Sequence, residues 1–188
     1  MGSAARGGVP GVIETARLRG VRIEPAHREL LSSALYGDPR VMATLGGALL
    51  EGQALEAAVR RGVDHWTEHG FGTWLFFSAD DERFVGVGGM RFFDLPEEPA
   101  RVPGLIYHIA ADAWGVGHAT EIAACSLRVG FEALDFEAIS SWTLPSNGAS
   151  RRVMEKCGMS FVRESEFAGL AHHFFRITRA RWQASRGA

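Results

Sequence analysis

The sequence predicts one α/β domain, built on a mixed sheet of about seven strands with helices on both faces. Three observations lead there. The chain has 188 residues, enough for one compact domain with a sizeable core. Two apolar runs flank Asp80-Asp81-Glu82 and make a central hairpin. Between Leu105 and Leu144 a strand, a glycine turn, a helix and a second strand follow one another, which is a βαβ passage.

The elements follow in order. Residues 1–12 read as a flexible tail, since Gly and Pro there bury nothing, and the domain is expected over 13–183. Ala16 to Ile23 is apolar and β-branched enough for a first strand. Pro25 opens a helical stripe of Ala26, Leu30, Leu31, Ala34 and Leu35. Asp38-Pro39 restarts a short helix that stops at Gly46-Gly47. From Gly52 to His69, Leu55, Ala58, Val59, Val63 and Trp66 recur at helical spacing, and Gly70 stands as the C-terminal cap. Gly72–Ser78 and Phe84–Phe93 form the hairpin. Asp94 to Pro103, with three prolines, is a loop, and Leu105–Ala110 is the next strand. Trp114 to His118 is a turn, Ala119–Phe131 a helix and Ala138–Leu144 a strand. Asn147 caps a helix that runs to Cys157 and ends at Gly158. Phe161–Arg163 and His172–Thr178 close the set as strands.

Composition narrows the class. Hydrophobic residues at 46% and charged residues at 22% are ordinary for a soluble globular chain. A formal charge of −2 exerts no global pull toward nucleic acid or an anionic membrane, so neither is expected as a partner. No apolar run approaches the roughly 18 residues of a membrane helix. The stretch MGSAARGGVPG lacks the apolar core of a signal peptide, and Arg6 stands where a myristoylation site needs Ser or Thr. Cys125 and Cys157 form neither a CxxC pair nor a disulfide framework, which suits a reducing cytoplasm.

The chemistry is concentrated in IYHIAADAWGVGHATEIAACSL. A strand runs into Gly115-Val116-Gly117 and a helix begins at once. Two glycines let successive N–H groups point into one concavity, and the positive end of the helix adds to it, which suits a pyrophosphate. The helix then places Ala119, Ile122, Ala123, Ser126, Leu127 and Gly130 on one face. Alone, a Gly-x-Gly turn is a weak signal. A dinucleotide site is opposed by Thr120, which stands where the third glycine of GxGxxG belongs, and by the single short βαβ unit; no Walker A sequence is present.

The segment resembles the acetyl-CoA loop of the GNAT acetyltransferases, in particular the RimJ/RimL-like group that modifies protein N-termini. Their loop reads (Gln/Arg)-x-x-Gly-x-(Gly/Ala). Trp114 to Ala119 matches its last two fixed positions, with Trp114 in place of Gln or Arg. The likeness runs through nearly the whole chain: ETARLRGVRI, DPRVMATLGG, HWTEHGFGTWLFF, FVGVGGM and SNGASRRVMEKCGM resemble successive family segments. The resemblance implies a GNAT-like, mostly antiparallel twisted sheet and transfer of acetyl from acetyl-CoA, as co-substrate and without a metal, to a primary amine such as a protein N-terminus or a small amine. It also implies that backbone groups of Ile109 and Ala110 pair with the pantetheine arm. The amides of Gly115, Val116, Gly117, His118, Ala119 and Thr120 would hold the pyrophosphate, and Asn147 and Ser150 would lie near the thioester.

Acetyl transfer needs a neutral amine, a donor for the oxyanion and a proton for the departing thiolate. The resemblance gives Ser150 the last of these roles. The plainer reading is that Asn147 caps the helix and Ser150 fills its first turn, and both can hold together. The group's best-known members carry Glu three residues before the Tyr that corresponds to Tyr107, where this chain has Gly104. His108 shares a strand face with residue 104 and has a suitable unperturbed pKa for the missing base, or it only packs there.

Other patterns have plainer readings. His65-Trp66-Thr67-Glu68-His69 matches the zinc pattern HxxEH, but falls at a helix end and off its apolar stripe. His172 and His173 alternate across a strand and share no ligand easily. Glu97 and Glu98 are placed to attract a cationic amine, or are a solvated loop. Three functions remain: an acetyltransferase, a CoA-binding module that lost turnover, and an NAD-linked enzyme. A homodimer is admitted only because small symmetric assemblies are common.

Overall fold

Strand-forming segments rich in Val, Ile, Phe and Trp alternate with amphipathic stripes, and the computed structural model, which describes residues 8–186, shows how they layer. In chain order these are β1 (Val12–Glu14), β2 (Leu18–Arg22), α1 (Arg28–Leu31), α2 (Pro39–Met42), α3 (Gly52–His69), β3 (Thr73–Ser78) and β4 (Phe84–Phe93). Then come β5 (Val102–Ile109), α4 (His118–Arg128), β6 (Ala138–Thr143), α5 (Gly148–Lys156), β7 (Ser160–Phe167), β8 (Leu170–Thr178) and α6 (Arg179–Ala184). The strands form one sheet of eight in the order β1-β2-β3-β4-β5-β6-β8-β7, antiparallel everywhere except between β5 and β6.

The sheet thus has one strand more than expected. Val12 already pairs with Val21, so the tail ends before residue 12; residues 1–7 lie outside the described part. The Trp74 indole N–H donates to the Pro10 carbonyl and holds that edge. At the other end α6 also goes beyond expectation: Thr178 ends β8 and caps the helix by accepting from the Arg181 N–H.

Local signals set the remaining boundaries. Asp38 caps α2, Gly70 ends α3 in the left-handed conformation (φ 72°), and Asn147 caps α5. After α1 the chain makes a π-helical turn, Ser32–Tyr36, which swings Tyr36 toward the sheet. The central strands are covered on both faces, so β3 reads as an almost continuous apolar run. Trp74, Leu75 and Phe76 are fully buried, each side chain contributing about 1.5–3 kcal/mol on leaving water. A second, smaller cluster of Leu95, Val102 and Phe174, with Phe93, Trp142 and Phe167 packed on it, lies where β5 meets β6.

Candidate active site

The sheet opens between β5 and β6. Their parallel pairing has a single register pair, Gly104 with Ser140, and the Ser141 hydroxyl donates to the Leu105 carbonyl at 3.1 Å. Past Leu105 the strands part. On the β4 side the Ala110 N–H donates to the Val85 carbonyl (2.9 Å), so by ladder alternation the N–H and C=O of Ile109 face the opening. The Ile109 carbonyl accepts from the Trp114 indole at 2.8 Å. Of the two residues expected to meet a pantetheine arm, Ala110 therefore has its N–H committed to the sheet, and Ile109 directs its N–H into the opening.

The glycine turn lies at the outer end of this opening. Gly115 (φ 81°) and Gly117 (φ 91°) occupy the left-handed region, which only glycine adopts freely. A Cβ on Gly115 would meet nothing within 4 Å. No side chain caps α4, and the first-turn amides of His118, Ala119 and Thr120 have no helical acceptor. His118 Nδ1 is buried without a partner. Trp114 and Val116 stand exposed beside them. An uncapped helix start with an open glycine cradle fits a pyrophosphate, and so fits acetyl-CoA as a co-substrate.

Arg17 holds this turn, and no local sequence signal pointed to it. Its Nη1 donates to the Val116 carbonyl at 2.9 Å, and its Nε donates to Glu121 at 2.7 Å. Glu121 also accepts from the Thr15 hydroxyl (2.6 Å) and the Arg17 N–H (2.9 Å). Burial alone would raise the Glu121 pKa, but these donors outweigh it and hold the carboxyl below its usual range.

Ser150 lies across the opening, one turn inside α5. Its N–H donates to Asn147 Oδ1 (3.0 Å), and the Asn147 amide donates to the Thr44 carbonyl (3.3 Å), tying α5 to the segment after α2. The Tyr107 hydroxyl is 2.9 Å from Ser150 Oγ and 3.0 Å from the Ser150 carbonyl. Burial pushes the Tyr107 phenol well above its ordinary range, only partly offset by the Ser150 hydrogen bond, so it stays protonated. Tyr107 and Ser150 thus form one hydroxyl pair.

His108 projects from the other face, as strand alternation requires. Its Nδ1 is 3.2 Å from the Tyr36 hydroxyl. Burial, aided by Arg91, pushes its pKa down to about 4, so the imidazole is neutral at pH 7 and a weaker base than an unperturbed histidine. Burial raises the Tyr36 phenol to about 12. Arg91 stands directly across from Gly104 on this same face.

The position of the absent acid is occupied. A Cβ on Gly104 would lie 2.5 Å from the Phe93 ring and 3.0 Å from Trp142. These two rings pack edge to face at 4.5 Å. The loop after β4 is not a free acidic surface either. Glu98 is largely covered and pairs with Arg163 (2.8 Å) and Arg176 (2.7 Å), and Glu97 accepts from Ser165.

The remaining histidines serve the fold. His65 Nδ1 lies 2.8 Å from the Phe71 carbonyl, which requires it to donate, and Nε2 accepts from the Phe92 N–H at 3.0 Å. Both nitrogens are engaged, in one neutral tautomer, and the HxxEH pattern here braces α3 against β4. His172 is buried with Nδ1 on the Leu170 carbonyl, and His173 packs edge-on to Phe161.

Comparison with known proteins bears on the same region. A model of the acetyltransferase (GNAT) domain matches residues 17–160. The FsC-acetyl coenzyme A-N(2)-transacetylase of Aspergillus fumigatus is 32% identical over 162 residues, covering 80% of this chain and 65% of that protein. The chain therefore spans about two thirds of that relative's length. In three dimensions the chain resembles a GnaT-family acetyltransferase of Bordetella pertussis with a TM-score of 0.75 at 18% identity, over 88% of this chain and 98% of that one. It also resembles a spermidine N-acetyltransferase of Vibrio cholerae, solved with CoA and spermine, with a TM-score of 0.70 at 13% identity, over 90% and 99% of the two chains. At such identities these likenesses speak to the fold.

Proposed function

The chain belongs to the GNAT acetyltransferase family, whose members carry out acetyl-CoA-dependent acetylation, and we propose that its acceptor is a primary amine, attacking directly in a ternary complex. The observation that carries this is the Tyr107–Ser150 hydroxyl pair at the opening between β5 and β6. Acetyl-CoA supplies the activated acyl group as a thioester. The chain supplies the rest. The amides from Gly115 to Thr120, with the Ile109 N–H and the α5 start at Asn147, hold the co-substrate. Ser150 holds a proton at Oγ for the departing sulfur, and Tyr107 steers that hydroxyl. On the opposite face His108, kept neutral by burial, accepts a hydrogen bond that orients the attacking amine; Tyr36 orients the ring.

As the nitrogen–carbon bond forms and the carbon–sulfur bond breaks, the amine gives one proton to solvent water, and Ser150 Oγ gives one to sulfur and is reprotonated from solvent. The distant spermidine enzyme and the Aspergillus N(2)-transacetylase are both named for transfer to nitrogen, which supports this acceptor chemistry. A RimJ/RimL-like role on protein N-termini remains one form of it, supported by fold neighbours named for ribosomal-protein acetylation. We place the reaction in the cytoplasm, on the free thiols Cys125 and Cys157; among the described residues no helix is long and apolar enough to cross a membrane.

Thiol release from acetyl-CoA, measured against peptides with different N-termini and small amines, tests this reading. Release should require an acceptor, and Ser150→Ala should lower kcat about a hundredfold while the Kd for acetyl-CoA changes less than about threefold. Binding of acetyl-CoA without release to any amine would reduce the protein to a CoA-binding module.

A further inference from the structure

The acceptor-side face of β4 and β5 carries a positive charge that the fold does not neutralise. Arg91 projects from this face opposite Gly104, its Nε buried and without a hydrogen-bond partner. Among the described residues no carboxylate pairs with it; its Cζ lies over the Phe93 ring, 5.3 Å from the centroid. The acids of the loop after β4 are committed elsewhere. Glu98 lies between Arg163 and Arg176, Asp94 pairs with Arg101, and the family's acid at 104 is replaced by glycine under two aromatic rings. Arg61 adds like charge nearby, and burial lowers the Arg91 pKa. Most covered arginines behave differently: Arg163, Arg176 and Arg179 all have carboxylate partners. The Nε of Arg163 and Arg179 likewise lacks a hydrogen bond, as does that of Arg22 on β2, which lies over the Trp66 ring of α3.

A half-buried guanidinium with no carboxylate partner is costly, and its planar fork is shaped for a carboxylate. Its place makes it useful. Along β4, Arg91 is two residues, about 7 Å, from Gly89, the partner of Ile106, where β5 and β6 have just parted. Arg91 is also close enough to Tyr36 and His108 to act on both electrostatically.

We infer that the acceptor amine carries a carboxylate, received by the Arg91 guanidinium beside the opening while the nitrogen faces His108. This rests on the acetyl-transfer reading and names its substrate class: amino-acid-like amines, rather than polyamines.

The test pairs glycine, β-alanine and glutamate with their carboxamides, and adds spermidine as a cationic control. Binding to the full chain is measured by calorimetry, and acetylation at saturating acetyl-CoA in parallel. At least one acid should bind and react about 10–100-fold better than its amide. Arg91→Gln should erase that ratio, and Arg91→Lys should restore part of it. Equal handling of every acid and amide, or an unchanged ratio in Arg91→Gln, overturns the carboxylate site and leaves acetyl transfer standing. Acid-selective binding without acetylation would keep the site and overturn the transfer reading.

Discussion

At the scale of single residues, Gly104 shows that losing a side chain also changes what fills its space. Phe93 and Trp142 have closed over the position, so restoring an acid is a packing problem before it is a chemical one. Gly104→Glu should cost about 1–3 kcal/mol of stability through overpacking and should not speed acetylation. Thermal melting alongside rate measurement checks this; a faster enzyme at unchanged Tm would mean the rings yield readily. Ser150 illustrates the opposite case. The Asn147 cap that the sequence announced is present, and the same turn delivers the Ser150 hydroxyl to Tyr107, so a structural and a proposed chemical role coexist.

Among the elements, α4 and the turn before it depend on the link between β1 and β2, which precedes them by about a hundred residues. Arg17 bridges Glu121 on α4 and the Val116 carbonyl in the turn, so the cradle is held before any ligand arrives. Preorganisation of this kind acts on affinity. Glu121→Gln weakens the Arg17 contact and should raise the KM for acetyl-CoA about tenfold with kcat little changed. Steady-state kinetics with varied acetyl-CoA separates the two; a fall in kcat alone would place Arg17 and Glu121 outside co-substrate binding. On the other side of the opening, α5 is tied to the segment after α2 through the bond from Asn147 to Thr44. The helix that presents Ser150 is thereby coupled to the region that leads from Tyr36.

For the whole molecule, pH is the revealing variable. His65 and His108 are both held neutral, chiefly by burial, with His108 pushed down to about 4. In the unfolded chain both take up a proton near pH 6.5. Stability from these groups is therefore complete above pH 6.5 and is lost as pH falls from there toward the folded-state values. For His108 the loss approaches about 2 kcal/mol, less than the full shift implies because the ring keeps some exposure. Glu98 and Glu121, whose pKa values are lowered, begin to contribute only nearer the carboxylate range. Denaturant unfolding at pH 7.5, 6 and 5 should show the decline, and His108→Gln should flatten it between pH 6.5 and 5; an unchanged slope in that variant would assign the loss to His65. The order of elements, the hairpin, the βαβ passage, the Gly115–Gly117 turn and the caps at Gly70 and Asn147 were all legible in the sequence. Each depends on backbone preference or on periodicity within a few residues, and such signals are local. The short strand β1 and helix α6 escaped because three and six residues carry too little periodicity to stand out. Which face His108 occupies followed from alternation, but what surrounds it did not. The brace from Arg17, the rings over Gly104, the engaged nitrogens of His65 and the unpaired Arg91 were decided by tertiary structure alone, because strand order and register set which side chains meet across long stretches of chain.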